Sequence, residues 1–557
     1  MNDINVRTEK RGAESVALIT NNGAAPVKPG EIAVLSVAHG YAPDALIYGE
    51  GYQMLSQYRG TVGAPRNITY LSDKDHYKLP QRDGFNTVYN LFAVKTEEGK
   101  CDLYVFTSCR RFNGKIQWNE ETLEMVLDLE DVGIAPGETL EGEFFTVMKD
   151  VDSSAAFREA GKLISAHHPK RSLSERPAGW CSWYCFGPKV TKDDVDRNTD
   201  FISKNLPELK YIQIDDGYQE YMGDWLYVSP KFGDLDSVLA KINENGCESA
   251  IWVAPFIAQA ESRVFREHPE YFVKDENGAP LSSGEFTFEG WRYGPWYMLD
   301  GTNPGARGYL THVFRTMREK MNIKYFKLDA NVWGCFKNGV RYRAGATSVE
   351  AYREGMEAIF EGAGEDAVVL GCNAPMWPSI GSVNAMRISG DLARDIKTIR
   401  MLQQEITLRG WMNGVFWVND PDVFTIRNQN GSGLTDSEIR IHKCLMFVSG
   451  GMMLSGDDMT GYADEDLRDA MILLGTPDAA PEVDRFDTSV VRIKDGGGEY
   501  VGVFNVTDEE KEFSFDAKGA EFGESIWGLR SVRAENGVVK ITLPARDADV
   551  IRFPASN

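Results

Sequence analysis

The chain has 557 residues, 42% of them hydrophobic, with a formal net charge of -23. That length exceeds one ordinary domain and calls for two or three units with their own cores. No run of eighteen or more apolar residues occurs, which argues against a membrane-spanning helix, and so acidic a balance excludes a nucleic-acid partner, whose binding needs Lys and Arg against phosphates.

A neutral substrate is indifferent to this charge. The opening residues, MNDINVRTEKRGAESVALIT, mix charges of both signs and lack the basic start and apolar core of a secretory signal, so the expected location is cytoplasmic. Eight cysteines are sparse and irregular over this length, which suits a reducing compartment better than a disulfide framework. Cys181 and Cys185 have no second matching pair, and they read as buried thiols rather than as a zinc site.

In chain order, residues 1–150 show short alternating or apolar runs (IAVLSV, NTVYNLFAV, CDLYVFTSC, TLEMVLDL, EGEFFTVM) broken by Gly, Pro and Asn, the pattern of an antiparallel β-sandwich. Residues 151–176 contain SSAAFREAGKLISAHH, a helical linker whose His167 and His168 suit a helix end. Residues 177–474 alternate strand-like and helical segments, which predicts a parallel sheet. Eight candidate strands stand out: GWCSWY, YIQIDDGY, SAIWVAPF, YFKLDANVW, AVVLGCNAP, AMRISGD, GVFWVNDPD and MMLSGDD. Eight such units predict an α/β fold, a (β/α)8 TIM barrel. Residues 475–557 (SVVRIKD, EYVGVFNVT, KEFSFDA, VVKITL, DVIRF) predict a small C-terminal antiparallel β-domain.

In such a barrel the C-terminal strand ends build the site. Here each apolar run ends in a reactive or sugar-binding residue: Trp183, Asp215 with Asp216, Trp252, Asp329, Cys372 with Asn373, Asp391, Asp420 with Asp422, and Asp457 with Asp458. Carboxylates hydrogen-bond sugar hydroxyls and Trp packs on the apolar face of a pyranose. Any single Asp in this set could equally cap the next helix. Lys327 and Asp329 are two apart and face one side of their strand, so the lysine is expected to keep Asp329 ionised, as a nucleophile requires. Glycosidases pair one charged carboxylate with one that can hold a proton. Asp329 suits the first role and Asp391, just past a glycine, the second, while Asp395 reads as a helix cap. Seven histidines, none at these strand ends, point away from a metal. No GxGxxG, GxxxxGK[ST] or GxSxG motif occurs, so neither a nucleotide cofactor nor a serine hydrolase is expected.

GWCSWY, IQIDDGY followed by GDWL, IWVAPF, YFKLD, LGCNAP, MRISGD and WVNDPD together resemble the α-galactosidases of glycoside hydrolase family 36, in the clan that also holds families 27 and 31. The resemblance spans the barrel in order. It implies a retaining, exo-acting α-galactosidase without a cofactor, with Asp329 as nucleophile and Asp391 as acid/base. It implies that Asp215 and Asp216 bind the axial and primary hydroxyls of galactose beside Trp252, that Lys327, Cys372 and Arg387 surround the other hydroxyls, and that Trp183 and Tyr184 line the wall. DDGY departs from the family's more common DDGW. EGYQML, around Tyr52, is a loose counterpart of an N-terminal aromatic that reaches over the barrel mouth in the family, and FKNGVRYRAGAT after the nucleophile strand is a candidate cover for the site. Three alternatives stay open: an α-N-acetylgalactosaminidase, an enzyme transferring galactose to make raffinose-type sugars, and a non-catalytic sugar-binding protein. The expected partner is a small galactoside or oligosaccharide, with no nucleic acid or membrane, and self-association is left open.

Overall fold

The computed structural model describes residues 3–429, 431 and 433–554. Two antiparallel sheets, of eight and four strands, make the N-terminal part. Their inner faces share one core that includes Phe92, Phe106, Ile116, Trp118 and Leu123, with Phe92 stacked on Trp118 at 4.3 Å between ring centres. Successive residues of a strand point to opposite faces, so Phe92, Tyr104 and Phe106 enter this core while Leu91, Leu103 and Val105 enter the core shared with the barrel. The last strand, Thr139–Asp152, runs directly into helix Ser153–His167. Asp152 caps that helix by accepting the Ala155 N–H, and its buried face, with Ala156, Phe157, Ala160 and Ile164, packs toward the barrel. Phe157 meets Trp411 edge-on at 5.2 Å.

Eight short parallel strands follow: Ala178–Cys181, Tyr211–Ile214, Glu248–Val253, Ile323–Leu328, Val368–Gly371, Ala385–Arg387, a seventh in two pieces, and Met453–Ser455. Each of the eight sequence-predicted segments supplies its strand. The seventh strand closes the ring. Its first piece, Val418–Asp420, pairs with strand six, and its second, Val423–Phe424, pairs with strand eight, which itself pairs with strand one. Between the pieces lie Pro421, which has no N–H to give a ladder, and Asp422 at φ 78°. The first and second strands approach closely because Gly179 has no side chain: a Cβ there would lie 2.2 Å from the Tyr211 carbonyl oxygen.

The barrel's connections are uneven in length. Between strands three and four the chain makes a long excursion with a two-stranded ladder, Ile257–Ala258 on Tyr297–Met298, before helix Pro304–Met321 returns it to the barrel. After strand eight, two further antiparallel sheets of six and two strands enclose a separate core of Val501, Phe513, Phe515, Val539, Ile541 and Phe553. This part is fastened to barrel helix Asp436–Ser449, where Arg440 donates to Asp547 at 2.6 Å and Phe447 packs on Tyr500 at 5.2 Å. The architecture is the expected one: a TIM barrel between an N-terminal β-sandwich and a small C-terminal β-domain.

Candidate active site

A cavity of about 430 Å³ opens at the C-terminal ends of the barrel strands. Trp183, Asp215, Asp216, Trp252, Lys327, Asp329, Cys372 and Asp391 all line it, so strands one to six meet there. The barrel produces this convergence because every parallel strand points the same way and each apolar run ends at the same rim.

Asp329 follows strand four, and its N–H donates to Val253 O on strand three at 2.8 Å. The carboxylate takes Trp252 Nε1–H on Oδ2 at 3.1 Å and the Ala330 N–H on Oδ1 at 2.7 Å. Ala330 then turns the chain away at φ 52°, a left-handed conformation that a side chain other than glycine's adopts at a cost. Burial raises the Asp329 pKa above the ordinary carboxylate value, against the pull of the Lys327 charge and the Trp252 hydrogen bond, and Asp391 adds to the rise. The Lys327 charge favours the anion, and burial works against it. The lysine's direct partner is Asp215, whose Oδ2 accepts from Nζ at 2.9 Å with both side chains buried. Burial pulls the Lys327 pKa down, yet the charge of Asp215 together with the other acidic groups around it holds it well above the usual value.

Both oxygens of Asp215 have donors in the protein, since Oδ2 also takes Gln213 Nε2–H at 2.7 Å and Oδ1 takes the Asp216 N–H at 2.9 Å. Asp216 differs. Its Oδ1 accepts from Gln219 at 2.6 Å and from Arg292, while buried Oδ2 has no hydrogen-bond partner among the described residues. Burial lifts its pKa to about 6 even beside the Arg292 guanidinium. A buried acceptor left open in a cavity wall is a place for a ligand's donor.

Asp391 lies across the cavity, and its side chain is 54% exposed. Its Oδ1 accepts from Arg387 Nη2 at 2.8 Å and from the Tyr184 hydroxyl at 3.2 Å. Arg387, almost wholly buried, also pairs with Asp422 Oδ2 at 2.7 Å. Arg387 and Tyr184 thus stand behind Asp391 instead of lining the cavity. Asp395 caps helix Ile396–Arg409 by accepting the Thr398 N–H at 2.9 Å. Asp457 is tied to Arg394 at 2.7 Å and to the Thr425 hydroxyl at 2.6 Å, away from the cavity.

Of the further lining residues, Met54 and Leu55 lie in the EGYQML segment that the resemblance set near the mouth, and the others lay outside the sequence reading. Met54, Leu55, Tyr70 and Leu71 come from the N-terminal sandwich, and Phe288, Trp291 and Arg292 from the excursion after strand three. The aromatic density of EFTFEGWRYGPWYM was the one signal for the second group. Tyr52 is not the aromatic over the mouth: it is buried, and its hydroxyl donates to the Cys335 carbonyl. Tyr70 takes that place. Nor does 336–347 cover the cavity. It is held elsewhere, with Val340 bridged to Lys274 and the Tyr342 N–H donating to Asp300 at 2.6 Å. Among the described residues no three His, Cys, Asp or Glu side chains gather as a metal-binding group.

The barrel stretch that holds Asp215, Asp216, Trp252 and Asp329, residues 212–361, matches the family model for melibiase. The chain carries a melibiase domain. Its relatives include the α-galactosidase Mel36A of Lactobacillus acidophilus, 22% identical over 300 residues, which is 51% of this chain and 37% of that protein. The α-galactosidase AgaA of Geobacillus stearothermophilus, of family 36, superposes with a TM-score of 0.68 at 13% identity, over 99% of this chain and 81% of that one. TtGalA from Thermus thermophilus, solved with p-nitrophenyl α-D-galactopyranoside, does so with a TM-score of 0.62 at 20% identity, over 88% and 97%. The matches to the first curated relatives span only 20%, 8% and 37% of their lengths. The melibiase match over the barrel and the fold shared with these structures agree with the resemblance that the motifs carry.

Proposed function

We propose that this chain is a retaining, exo-acting α-galactosidase with Asp329 as nucleophile and Asp391 as acid/base. The observation that carries the reading is the pairing, in one cavity, of a partly buried carboxylate fixed by two N–H donors with a more exposed carboxyl braced by Arg387. Fixed donors on both oxygens aim Asp329 at one carbon, and access to water lets Asp391 exchange protons. Asp329 attacks the anomeric carbon while Asp391 protonates the departing oxygen. Asp391 then takes a proton from water, which releases galactose with its α configuration kept. Asp215, Asp216 and the lysine behind them present the acceptors and charge that a sugar's hydroxyls need, and Trp183, Trp252 and Cys372 give its carbons a wall. The melibiase match and the family 36 relatives support the same reading. The catalytic unit is assigned to residues 177–474, completed by the sandwich residues that reach the cavity. A cytoplasmic location belongs to the same reading, supported by eight cysteines that are buried and too sparse and irregular for a disulfide framework.

The test is hydrolysis of nitrophenyl α-galactoside, with the anomer first released read by proton NMR. Retained α-galactose is expected. Asp329→Asn should keep the wild-type melting temperature and lose turnover by roughly three orders of magnitude or more. A β product, or an active Asp329→Asn protein, would overturn the assignment. Parallel assay of the N-acetylamino analogue tests the galactosaminidase alternative.

A further inference from the structure

Behind the proposed acid/base lies a carboxylate that the mechanism above does not use. Glu405 sits on helix Ile396–Arg409, the helix that follows strand six, and is completely buried. Its Oε2 accepts the Gly390 N–H at 2.8 Å, and its Oε1 has no hydrogen-bond partner among the described residues. Gly390 is the residue before Asp391, so this bond fixes the peptide from which the acid/base carboxyl projects. One turn on, Arg409 donates to the Ile388 carbonyl at 3.0 Å, on the other side of Ser389. The helix therefore grips the 388–390 turn at both ends, the carboxylate taking an N–H and the guanidinium a carbonyl.

The turn has little freedom elsewhere. A Cβ on Gly390 would lie 2.6 Å from the Tyr70 ring, so the ring closes over the turn's outer face. The charged and titratable groups that face Glu405 are Arg409 on its own helix, Arg387 and Asp391 from strand six, and Tyr70 from the sandwich. Two of these are cations, yet neither is its hydrogen-bond partner: Arg409 pairs with Glu50 at 2.7 Å and Arg387 with Asp422 and Asp391. An uncapped buried carboxylate is costly to keep, and here it is kept within one peptide of Asp391.

We propose that Glu405 is a positioning residue for Asp391: through the Gly390 amide it fixes the acid/base carboxyl over the cavity, and its negative charge favours the proton that this carboxyl must deliver. The proposal rests on the α-galactosidase reading. Burial brings the Glu405 pKa up to about 7, against the Gly390 hydrogen bond and the two arginines, so the charge develops across the neutral range where an acid would otherwise lose its proton.

Proton delivery matters for a sugar leaving group and hardly at all for nitrophenolate, which departs unaided. Glu405→Ala should therefore lower kcat/KM, which reports the first step alone, about tenfold on melibiose while kcat/KM on nitrophenyl α-galactoside stays within about threefold. Glu405→Gln keeps an acceptor for the Gly390 N–H and should restore most of the melibiose turnover. Without the charge, the basic limb of its kcat profile should move to lower pH by roughly half a unit. Equal losses on both substrates in a Glu405→Ala protein that melts normally would reduce Glu405 to a structural role. Should Glu405→Ala fail to fold, Glu405→Gln decides alone: a pH profile that overlays the wild type sinks the proposal. Wild-type protein inactive on every α-galactoside would sink the α-galactosidase reading itself, and this proposal with it.

Discussion

At the residue scale, what distinguishes the two central carboxylates is the kind of donors around each. Trp252 gives Asp329 an N–H at 3.1 Å, and this bond lowers the pKa that burial raises. Trp252→Phe keeps the ring and removes the donor. The carboxylate should then stay protonated to higher pH, so the acid limb of kcat/KM should move upward and the maximum should fall roughly tenfold, the worth of one hydrogen bond to a charged group. A profile overlaying the wild type would mean that the indole only fills space. The period of two along strand four correctly put Lys327 and Asp329 on one side, but it could not name the lysine's partner. In a closed barrel the inward side chains form layers drawn from alternate strands, and Lys327 accordingly reaches Asp215 at the end of strand two. Arg292 was hidden for a different reason, since nothing in a loop's composition says which strand end it folds back on.

At the element scale, the barrel strands were legible because each is buried on both faces, which writes a continuous apolar run ending where the pocket begins. The split in strand seven was also written, as the Asn-Asp-Pro-Asp sequence that interrupts a ladder. What could not be read was the contact between a barrel helix and the sandwich. Arg409 is buried with Glu50, Nη2 to Oε2 at 2.7 Å, and donates to the carbonyls of Met54 and of Ser56, the latter at 2.8 Å. Residues 359 apart in the chain carry no mutual signal in one sequence. Glu50→Gln would leave the guanidinium charged and uncompensated, and should cost about 3–5 kcal/mol, read as a lowered melting temperature. Replacing both partners, Glu50→Gln with Arg409→Met, should recover a good part of that loss. If Glu50→Gln melts like the wild type, the pair is not what holds the two units together.

At the scale of the whole molecule, the acidic groups inside the protein set its pH response. Burial raises Asp73 and Asp216 to about 6 and Glu405 and Asp422 to about 7. Each binds its proton more tightly folded than unfolded, so each contributes stability that is full at low pH and lost as pH rises through the folded value. Two buried histidines act the other way: burial lowers His168 to about 3 and His442 to about 4, so their contribution grows with pH but is complete by the ordinary imidazole value, about 6.5. Above that value only the acids still change. The melting temperature should therefore fall between about pH 6 and about pH 8, and a calorimetric series that is flat or rising there would contradict the burial of these groups. The three-part architecture was plain in the sequence, because each part has its own periodicity. The cavity's full wall was not, because Met54, Leu55, Tyr70 and Leu71 belong to a different part of the chain from the carboxylates they face. A barrel cut away from its sandwich would thus be an open trough with its chemistry intact on one bank only. Transplanting this catalytic machinery into another scaffold means carrying along a stretch that looks, taken by itself, like ordinary packing.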